Sequence, residues 1–199
     1  MASTDKATLR TLFKHKRSML STEAQQELDN RLLQQFRSLP LPGNVQYIMG
    51  FMPMQKFREP NVLLLIQDIR KRCPELQLAF PRVRKDSIEM DALLVTADTS
   101  YILSSWGIQE PEADPVLEPS AIDMIFIPLL AFDDKGYRVG YGKGVYDTFL
   151  QRCRPDVFKI GISYFGPVPE ISDTYPGDIP LDVCITPDKI HTFNPSTAS

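Results

Sequence analysis

The order of apolar runs along the chain constrains its fold more than any other feature. Short runs rich in apolar residues, at positions 45–52, 76–80, 122–127, 158–163 and 183–186, alternate with segments of helical periodicity. Short buried strands separated by helices are typical of α/β proteins with a mostly parallel sheet. We therefore predict one α/β domain over residues 1–193, built on an open, mostly parallel sheet flanked by helices.

Helical periodicity supplies the second half of this pattern. It predicts two helices in the first forty residues, the second beginning with a capping box at Thr22 and Gln25, and further helices at 62–72 and 145–152. Residues 86–97 fit a strand or a helix, residues 101–119 are interpreted as an ordered loop, and residues 194–199 are expected to be disordered. The fold is thus expected to be a three-layer, Rossmann-like arrangement.

Charge and hydropathy exclude several classes of protein. The 199 residues carry a formal net charge of −3, whereas a nucleic-acid-binding module is normally basic. The longest strongly apolar run, 124–132, is less than half of the about twenty residues that a membrane span needs. The N-terminal segment is polar and lacks the apolar stretch of a signal peptide. We therefore expect a cytoplasmic protein that binds neither nucleic acid nor membranes.

Glycine is concentrated at one place. Four of the ten glycines, Gly136, Gly140, Gly142 and Gly144, fall between an apolar strand and a helix. A glycine-rich turn that enters a helix lets backbone N–H groups converge on a phosphate. The spacing matches neither the P-loop nor the dinucleotide fingerprint. A tight loop that merely requires positive φ angles is the alternative reading, and the glycines alone do not decide between them.

Charged residues around this loop favour the phosphate interpretation. Arg138 and Lys143 add two cations within an acidic chain, and Asp147 lies in the first turn of the following helix. A carboxylate there could complement the helix dipole, or it could hold Mg²⁺ against bound phosphates, since Mg²⁺ commonly takes one or two carboxylates plus substrate phosphates. The segment therefore predicts a phosphate and magnesium site.

The motif RVGYGKGVYD at 138–147, preceded by IPLLAFD at 127–133, closely resembles the signature of the 5-formyltetrahydrofolate cyclo-ligase family. Three shorter segments agree in order and spacing: KATLR at 6–10, WGIQEP at 106–111 and DVCIT at 182–186. The resemblance implies an enzyme that uses ATP and Mg²⁺ to convert 5-formyltetrahydrofolate, a small molecule that can carry a polyglutamate tail, into 5,10-methenyltetrahydrofolate, ADP and phosphate. It implies no side-chain nucleophile, and we expect a monomer.

The resemblance also implies which residues form the site. The ATP-binding residues would be Lys6, Arg10, Arg138, Val139, Gly140, Tyr141, Gly142, Lys143, Gly144, Val145 and Tyr146, with Arg138 and Lys143 stabilising the transferred charge. Lys6 and Arg10 share a helix face at i, i+4. Asp147 would be the principal Mg²⁺ ligand and Asp182 a second one. The substrate-binding residues would be Met52, Phe57, Glu59, Trp106 and Tyr141.

Two positions depart from the family pattern. Val145 stands where many members carry an aromatic residue, and Phe57 stands where ungapped alignment puts a glutamate that binds the donor edge of the pterin. Glu59, two residues later, could replace that glutamate through a shift. These departures leave two alternatives open: an ATP-dependent enzyme on the same scaffold that acts on another amide, or a non-catalytic protein that binds nucleotide or folate.

Overall fold

Twelve strands and four α-helices are formed by the part of the chain that the computed structural model describes, residues 3–104, 107–112 and 115–193. The helices are α1 (Lys6–Ser18), α2 (Thr22–Ser38), α3 (Val62–Arg72) and α4 (Val145–Leu150). The strands are β1 (Tyr47–Met49), β2 (Gln77–Val83), β3 (Met90–Val95), β4 (Ser100–Leu103), β5 (Gln109–Glu112), β6 (Val116–Leu117), β7 (Met124–Ile127), β8 (Ala131–Phe132), β9 (Arg138–Val139), β10 (Phe158–Ile162), β11 (Val183–Ile185) and β12 (Ile190–Thr192).

The main sheet has a parallel centre and antiparallel edges. Its strand order is β12-β11-β10-β7-β1-β2-β3-β6 among the described residues. Every pairing from β11 to β2 is parallel, whereas β12, β3 and β6 pair antiparallel with their neighbours. All four residues of β7 and all five of β10 are buried, as expected for strands covered on both faces. The predicted fold class is confirmed.

The N-terminal helices begin where side chains cap them. Asp5 accepts a hydrogen bond from the backbone N–H of Thr8 at 2.8 Å, and Ser21 accepts one from Ala24 at 3.1 Å. The cap of α2 is therefore Ser21, one residue before the predicted Thr22, because Ser21 has the extended backbone that a cap requires. No helix among the described residues has the length and apolar composition needed to cross a membrane.

The sequence interpretation was wrong over residues 101–119. This segment contains the antiparallel pair β4–β5 and the edge strand β6 rather than a loop. Its proline and acidic residues conceal the strands, because β5 is made stable by its partner β4 and not by its own residue preferences. The undecided stretch 86–97 contains strand β3. Trp106 and the tail 194–199 lie outside the described residues.

The sheet reverses its winding direction between β1 and β7. From β1 the chain crosses through α3 to β2 on one side, and from β7 it passes through α4 to β10 on the other. In open α/β sheets, ligands bind beyond the carboxyl ends of the strands at such a switch point. The segments that follow β1 and β7 are therefore the expected location of a site.

Candidate active site

A cavity of about 480 Å³ lies at this switch point. Phe51 and Met52, directly after β1, and Pro128, directly after β7, contribute to its wall. The loop 140–144 and helix α1 form another part of the wall, and residues of β2, β3 and β5 complete it. The topology thus brings the N-terminal helix and the glycine-rich loop, distant in sequence, to one site.

The glycine-rich loop has the backbone conformation that glycine permits. Gly136 (φ +85°), Gly142 (φ +92°) and Gly144 (φ +72°) all adopt positive φ. A Cβ on Gly142 would lie 3.2 Å from Cζ of Arg10, so the absence of a side chain also admits that guanidinium. The missing side chain of Gly142 therefore permits both the positive φ of the loop and the close approach of Arg10.

Two cations of α1, which their i, i+4 spacing places on one helix face, reach the cavity. Nε of Arg10 donates to the carbonyl oxygen of Gly140 at 3.0 Å. Nζ of Lys6 lies 2.5 Å from Oδ2 of Asp178 and 5.0 Å from the centroid of the Tyr175 ring. Both side chains line the cavity together with Lys143. This wall is consequently rich in positive charge.

Arg138 and Asp147 form a partly buried ion pair in the same wall. The Arg138 side chain is 5% exposed and one terminal nitrogen lies 2.8 Å from Oδ1 of Asp147. Arg138 also donates to the carbonyl oxygen of Ile179, and the N–H of Ile179 donates to the same Oδ1 of Asp147 at 3.1 Å. Burial lowers the pKa of Arg138, and Asp147 opposes that shift. Oδ2 of Asp147 takes no part in these contacts, so the carboxylate can still bind a cation in the cavity.

Asp182 is not among the residues that line the cavity, and its role as a second metal ligand stays a prediction. Its side chain lies between β10 and β11, where Oδ2 accepts the backbone N–H of Lys159 at 2.8 Å and lies 2.7 Å from Nζ of the same residue. The aspartate precedes β11 directly, and the parallel pairing with β10 places Lys159 beside it. Across the described ranges, no group of three or more histidine, cysteine or carboxylate side chains is arranged around a metal position.

Glu59, two residues after Phe57, brings a buried carboxylate to the cavity wall. Glu59 is 3% exposed; its Oε2 accepts the backbone N–H of Met54 at 2.7 Å, and its Oε1 accepts the hydroxyl of Tyr141 at 2.6 Å. Burial raises the pKa of Glu59. The Phe57 ring packs on the Tyr141 ring with centroids 5.2 Å apart. Phe57 and Glu59 both line the cavity. A 3-10 turn at Gln55–Phe57 lies just before Glu59 in the chain.

Of three further residues predicted to bind ATP, Val139, Val145 and Tyr146, two line the cavity and one does not. Val145 and Tyr146 line the cavity at the start of α4. Val139 does not: its side chain is fully buried and packs in a cluster with Leu9 and Phe13. Its contribution to the site is therefore the backbone of β9, which sets the start of the glycine-rich loop.

Sequence reasoning missed Lys14 and Glu110. Nζ of Lys14 lies 5.6 Å from the ring centroids of both Phe57 and Tyr141, and Glu110 is a buried carboxylate of β5. The spacing Lys6, Arg10, Lys14 continues one helical face, so the helix arithmetic contained the signal for Lys14. Glu110 lies in the segment WGIQEP that carries the resemblance, but no role was assigned to it, because the segment was interpreted as a loop.

A family model described as the 5-formyltetrahydrofolate cyclo-ligase family matches residues 2–166. The chain belongs to the 5-formyltetrahydrofolate cyclo-ligase family. The matched range contains α1, the glycine-rich loop and Glu59, which are the elements that form the cavity. Membership of this family indicates an enzyme of the ligase class.

Relatives in this family share sequence over different lengths. A 5-formyltetrahydrofolate cyclo-ligase of Mycoplasma pneumoniae is 30% identical over 182 residues, which is 91% of this chain and 98% of that protein. The mouse (Mus musculus) 5-formyltetrahydrofolate cyclo-ligase is 37% identical over 118 residues, and this match covers 55% of the chain and 56% of the mouse protein.

Solved structures of the family share the fold. The Aquifex aeolicus 5,10-methenyltetrahydrofolate synthetase superposes with a TM-score of 0.78 at 30% identity, over 95% of this chain and 93% of that one. The Mycoplasma pneumoniae 5,10-methenyltetrahydrofolate synthetase gives a TM-score of 0.71 at 28% identity, over 91% of this chain and 98% of that one. The family fold therefore extends beyond the motif segments to nearly the whole chain.

Proposed function

We propose that the protein catalyses the ATP- and Mg²⁺-dependent cyclisation of 5-formyltetrahydrofolate to 5,10-methenyltetrahydrofolate. One observation carries the proposal: a cation-lined glycine-rich loop and a buried carboxylate beside two packed aromatic rings face the same cavity. The first half has the chemistry of a phosphate site and the second that of a site for a planar, polar heterocycle. A reaction that joins ATP to a folate requires both in contact.

The phosphate half is formed by α1 and the loop. Lys6, Arg10 and Lys143 supply positive charge, and the backbone of residues 140–144, with positive φ at Gly142 and Gly144, would supply N–H donors to a phosphate. Gly142 leaves room for Arg10, and the hydrogen bond from Arg10 to Gly140 fixes that guanidinium against the loop. These groups would hold the triphosphate and fix the position of its last phosphoryl group.

Asp147 is the residue that fits Mg²⁺. It lines the cavity beside the cations, and its Oδ2 lies outside the ion pair with Arg138. One carboxylate is sufficient because Mg²⁺ takes its other ligands from water and substrate phosphates. The metal would neutralise phosphate charge during the transfer. Arg138 holds the Asp147 carboxylate in a fixed orientation.

The chain's own contribution to the chemistry is positioning and charge stabilisation. With both substrates bound, ATP supplies the phosphoryl group that turns the formyl oxygen into a leaving phosphate when N10 closes the ring. Arg138 and Lys143 would stabilise the charge on the transferred group, because fixed cations in a water-poor site favour a charged transition state. No side-chain nucleophile is needed, since both reacting oxygen and nitrogen belong to the substrate.

The folate half is formed by the segment after β1 and by Tyr141. Met52, Phe57 and Glu59 line it, and the Phe57 and Tyr141 rings form one aromatic wall. Lys14 above those rings offers a charge for the carboxylates of the substrate tail. A role for Trp106 in stacking stays a prediction, as do the monomeric state and the cytoplasmic location.

The decisive experiment mixes the protein with 5-formyltetrahydrofolate, ATP and Mg²⁺ and follows the near-ultraviolet absorbance of the methenyl product. The proposal expects product and ADP to appear in equal amounts and only when all three are present. ATP hydrolysis with another amide but not with the folate would identify a different substrate. Nucleotide binding without turnover by folded protein would identify a binding protein instead.

A further inference from the structure

A turn at residues 175–178 lies in the cavity wall beside Lys6, and the proposed reaction assigns it no role. Tyr175 and Asp178 line the cavity. The backbone N–H of Tyr175 donates to Oδ2 of Asp178 at 3.0 Å, and the backbone N–H of Asp178 donates to the carbonyl oxygen of Tyr175 at 2.9 Å. Pro176 and Gly177, between them, are residues that favour turns. The two hydrogen bonds therefore hold the tyrosine backbone and the carboxylate in a fixed relation to each other.

The Tyr175 ring folds back over this turn instead of entering the core. A Cβ on Gly177 would lie 2.5 Å from Cε2 of Tyr175, so the missing side chain of Gly177 admits the ring. Tyr175 is 55% exposed, and it belongs to none of the hydrophobic clusters formed by the described residues. Aromatic rings usually stabilise a protein by burying a large apolar area, which this ring does not do. Core packing therefore does not explain why a tyrosine stands here.

The ring faces the ammonium group of Lys6. Nζ of Lys6 lies 5.0 Å from the centroid of the Tyr175 ring and 2.5 Å from Oδ2 of Asp178. The Lys6 side chain is only 12% exposed, so water and salt screen these contacts weakly. The backbone N–H of Lys6 also donates to Oδ1 of Asp173 at 2.7 Å. The segment 173–178 thus holds both the backbone and the ammonium of the first residue of α1.

The ring and the carboxylate hold this ammonium in different ways. Asp178 accepts an N–H of Lys6, and its negative charge would repel a phosphate that approaches the same ammonium. An aromatic face attracts the positive charge through its quadrupole and carries no net charge. Tyr175 therefore restrains the ammonium while the N–H donors that Asp178 does not use stay available to phosphate oxygens.

We propose that Tyr175 is a positioning residue, whose ring holds the Lys6 ammonium in the orientation in which it binds a phosphate of ATP. Lysine has a flexible four-carbon stem, so a lysine that is restrained before the nucleotide arrives loses less freedom on binding than an unrestrained one. Tyr175 acts through Lys6 and needs no contact with the nucleotide. This inference rests on the proposed function, because it takes ATP as the ligand of Lys6.

The test compares ATP binding by matched variants. Tyr175→Phe keeps the ring and Tyr175→Leu removes it. As a control, Phe165→Leu removes a ring that lies beneath another lysine of α1, Lys16, and that is not among the residues lining the cavity. ATP with Mg²⁺ is titrated calorimetrically without folate. Tyr175→Leu should weaken ATP binding roughly 3- to 20-fold, whereas Tyr175→Phe and Phe165→Leu should weaken it less than about twofold. All three variants should bind 5-formyltetrahydrofolate as the wild type does.

A double-variant cycle shows whether the ring acts through Lys6. Lys6→Met removes the ammonium and keeps an unbranched stem, and adding Tyr175→Leu should then weaken ATP binding by less than about twofold more. A further loss as large as the one that Tyr175→Leu causes alone would show that the ring contacts the nucleotide directly, and would overturn the inference. Equal losses in Tyr175→Phe and Tyr175→Leu, or no loss in either, would also overturn it.

Two further measurements separate the inference from the fold and from the proposed reaction. Because Tyr175 is exposed, Tyr175→Leu should melt at the wild-type temperature, and its lower ATP affinity then reports on the site. Unchanged ATP affinity in Tyr175→Leu, together with normal cyclisation by the wild type, would refute only this inference. The expected pattern of ATP binding without any methenyl product would refute only the reaction. Wild-type protein that binds no ATP would refute both.

Discussion

The hydroxyl of Tyr141 donates a 2.6 Å hydrogen bond to Oε1 of Glu59, across 82 residues of sequence. Tyr141 belongs to the glycine-rich loop and Glu59 to the segment that follows β1, so one part-buried hydrogen bond joins these two sides of the cavity. Arg17 strengthens the junction, because it donates both to the Tyr141 hydroxyl at 3.3 Å and to the carbonyl oxygen of Leu129. The glycine-rich loop and the segment after β1 thus cannot move independently without breaking this bond.

Tyr141→Phe should therefore reduce stability and folate affinity together. The change leaves Oε1 of a buried carboxylate without its donor, which costs about 1–3 kcal/mol of the free energy of unfolding. The KM for 5-formyltetrahydrofolate should rise more than the KM for ATP, because the loop backbone remains. Urea unfolding and steady-state kinetics measure both effects. Tyr101→Phe, whose ring packs on Phe80 away from the cavity, should change stability by less than about 0.5 kcal/mol.

The burial of Glu59 gives stability a defined dependence on pH. Burial raises its pKa in the folded protein above the ordinary value of 4.5, so the folded state binds this proton more tightly than the unfolded state. Its favourable contribution is complete below the unfolded pKa and is lost as pH rises through the folded pKa. Above pH 4.5 the free energy of unfolding should fall, by at most about 1.4 kcal/mol per pH unit from this group.

Glu59→Gln isolates that contribution because glutamine does not titrate. The difference in unfolding free energy between the variant and the wild type should change with pH in this window and level off above it. Asp29 and Glu110, whose pKa values burial also raises, are present in both proteins and cancel in the difference. A difference that stays constant from pH 4 to about 8 would show that Glu59 titrates normally.

Gly142 should be the least replaceable glycine of the loop. Alanine there would have to adopt φ +92° and place its Cβ 3.2 Å from Cζ and Nε of Arg10. We expect Gly142→Ala to cost about 1–3 kcal/mol of stability and to raise the KM for ATP, since both the loop and Arg10 must shift. Gly140→Ala should have a smaller effect on both, because no atom lies within 4 Å of a Cβ there. Equal effects of the two changes would argue against this reading of the loop.

The central strands could be predicted from the sequence because both of their faces are buried. Apolar runs such as β7 and β10 need no partner information to be recognised. The pair β4–β5 could not be found this way, since Gln109–Glu112 has no apolar alternation and is a strand only through its pairing with Ser100–Leu103. For the same reason Glu110, although it lies in the quoted segment WGIQEP, was assigned no place in the cavity.

The residues of the candidate site, like the strands, were predictable only where the signal is local in the sequence. The loop was predictable because glycine clustering is a local signal, and Lys6 and Arg10 were expected at the site because the segment KATLR resembles the family's N-terminal element. The pairing of Asp182 with Lys159, and the choice between Phe57 and Glu59, depend on which elements meet in three dimensions. A sequence shows that an aspartate precedes a strand, but the register of the neighbouring strand decides what the carboxylate contacts.

Asp147 and Asp182 provide a final pair of variants, in which the same substitution should have different consequences for the Mg²⁺ dependence. Asp147→Asn retains an Oδ1 that can accept from Arg138 and Ile179, and the negative charge of Asp178 still acts on Arg138, so the loss of stability should be smaller than in Asp182→Asn. It loses the negative charge in the cavity, and we expect the Mg²⁺ concentration for half-maximal activity to rise at least about tenfold, with a lower kcat. Titration of activity with Mg²⁺ at saturating ATP measures this shift.

Asp182→Asn should instead destabilise the fold and leave the Mg²⁺ dependence of the surviving activity unchanged. Its carboxylate is 2% exposed and faces the Lys159 ammonium at 2.7 Å, so removing one charge leaves the other buried without compensation, at a cost of about 3–5 kcal/mol. Thermal melts of both variants, alongside the Mg²⁺ titration, separate the two roles. A shifted Mg²⁺ requirement in Asp182→Asn would restore this aspartate to the metal site, because the buried ion pair alone predicts loss of folded protein and no change in metal affinity.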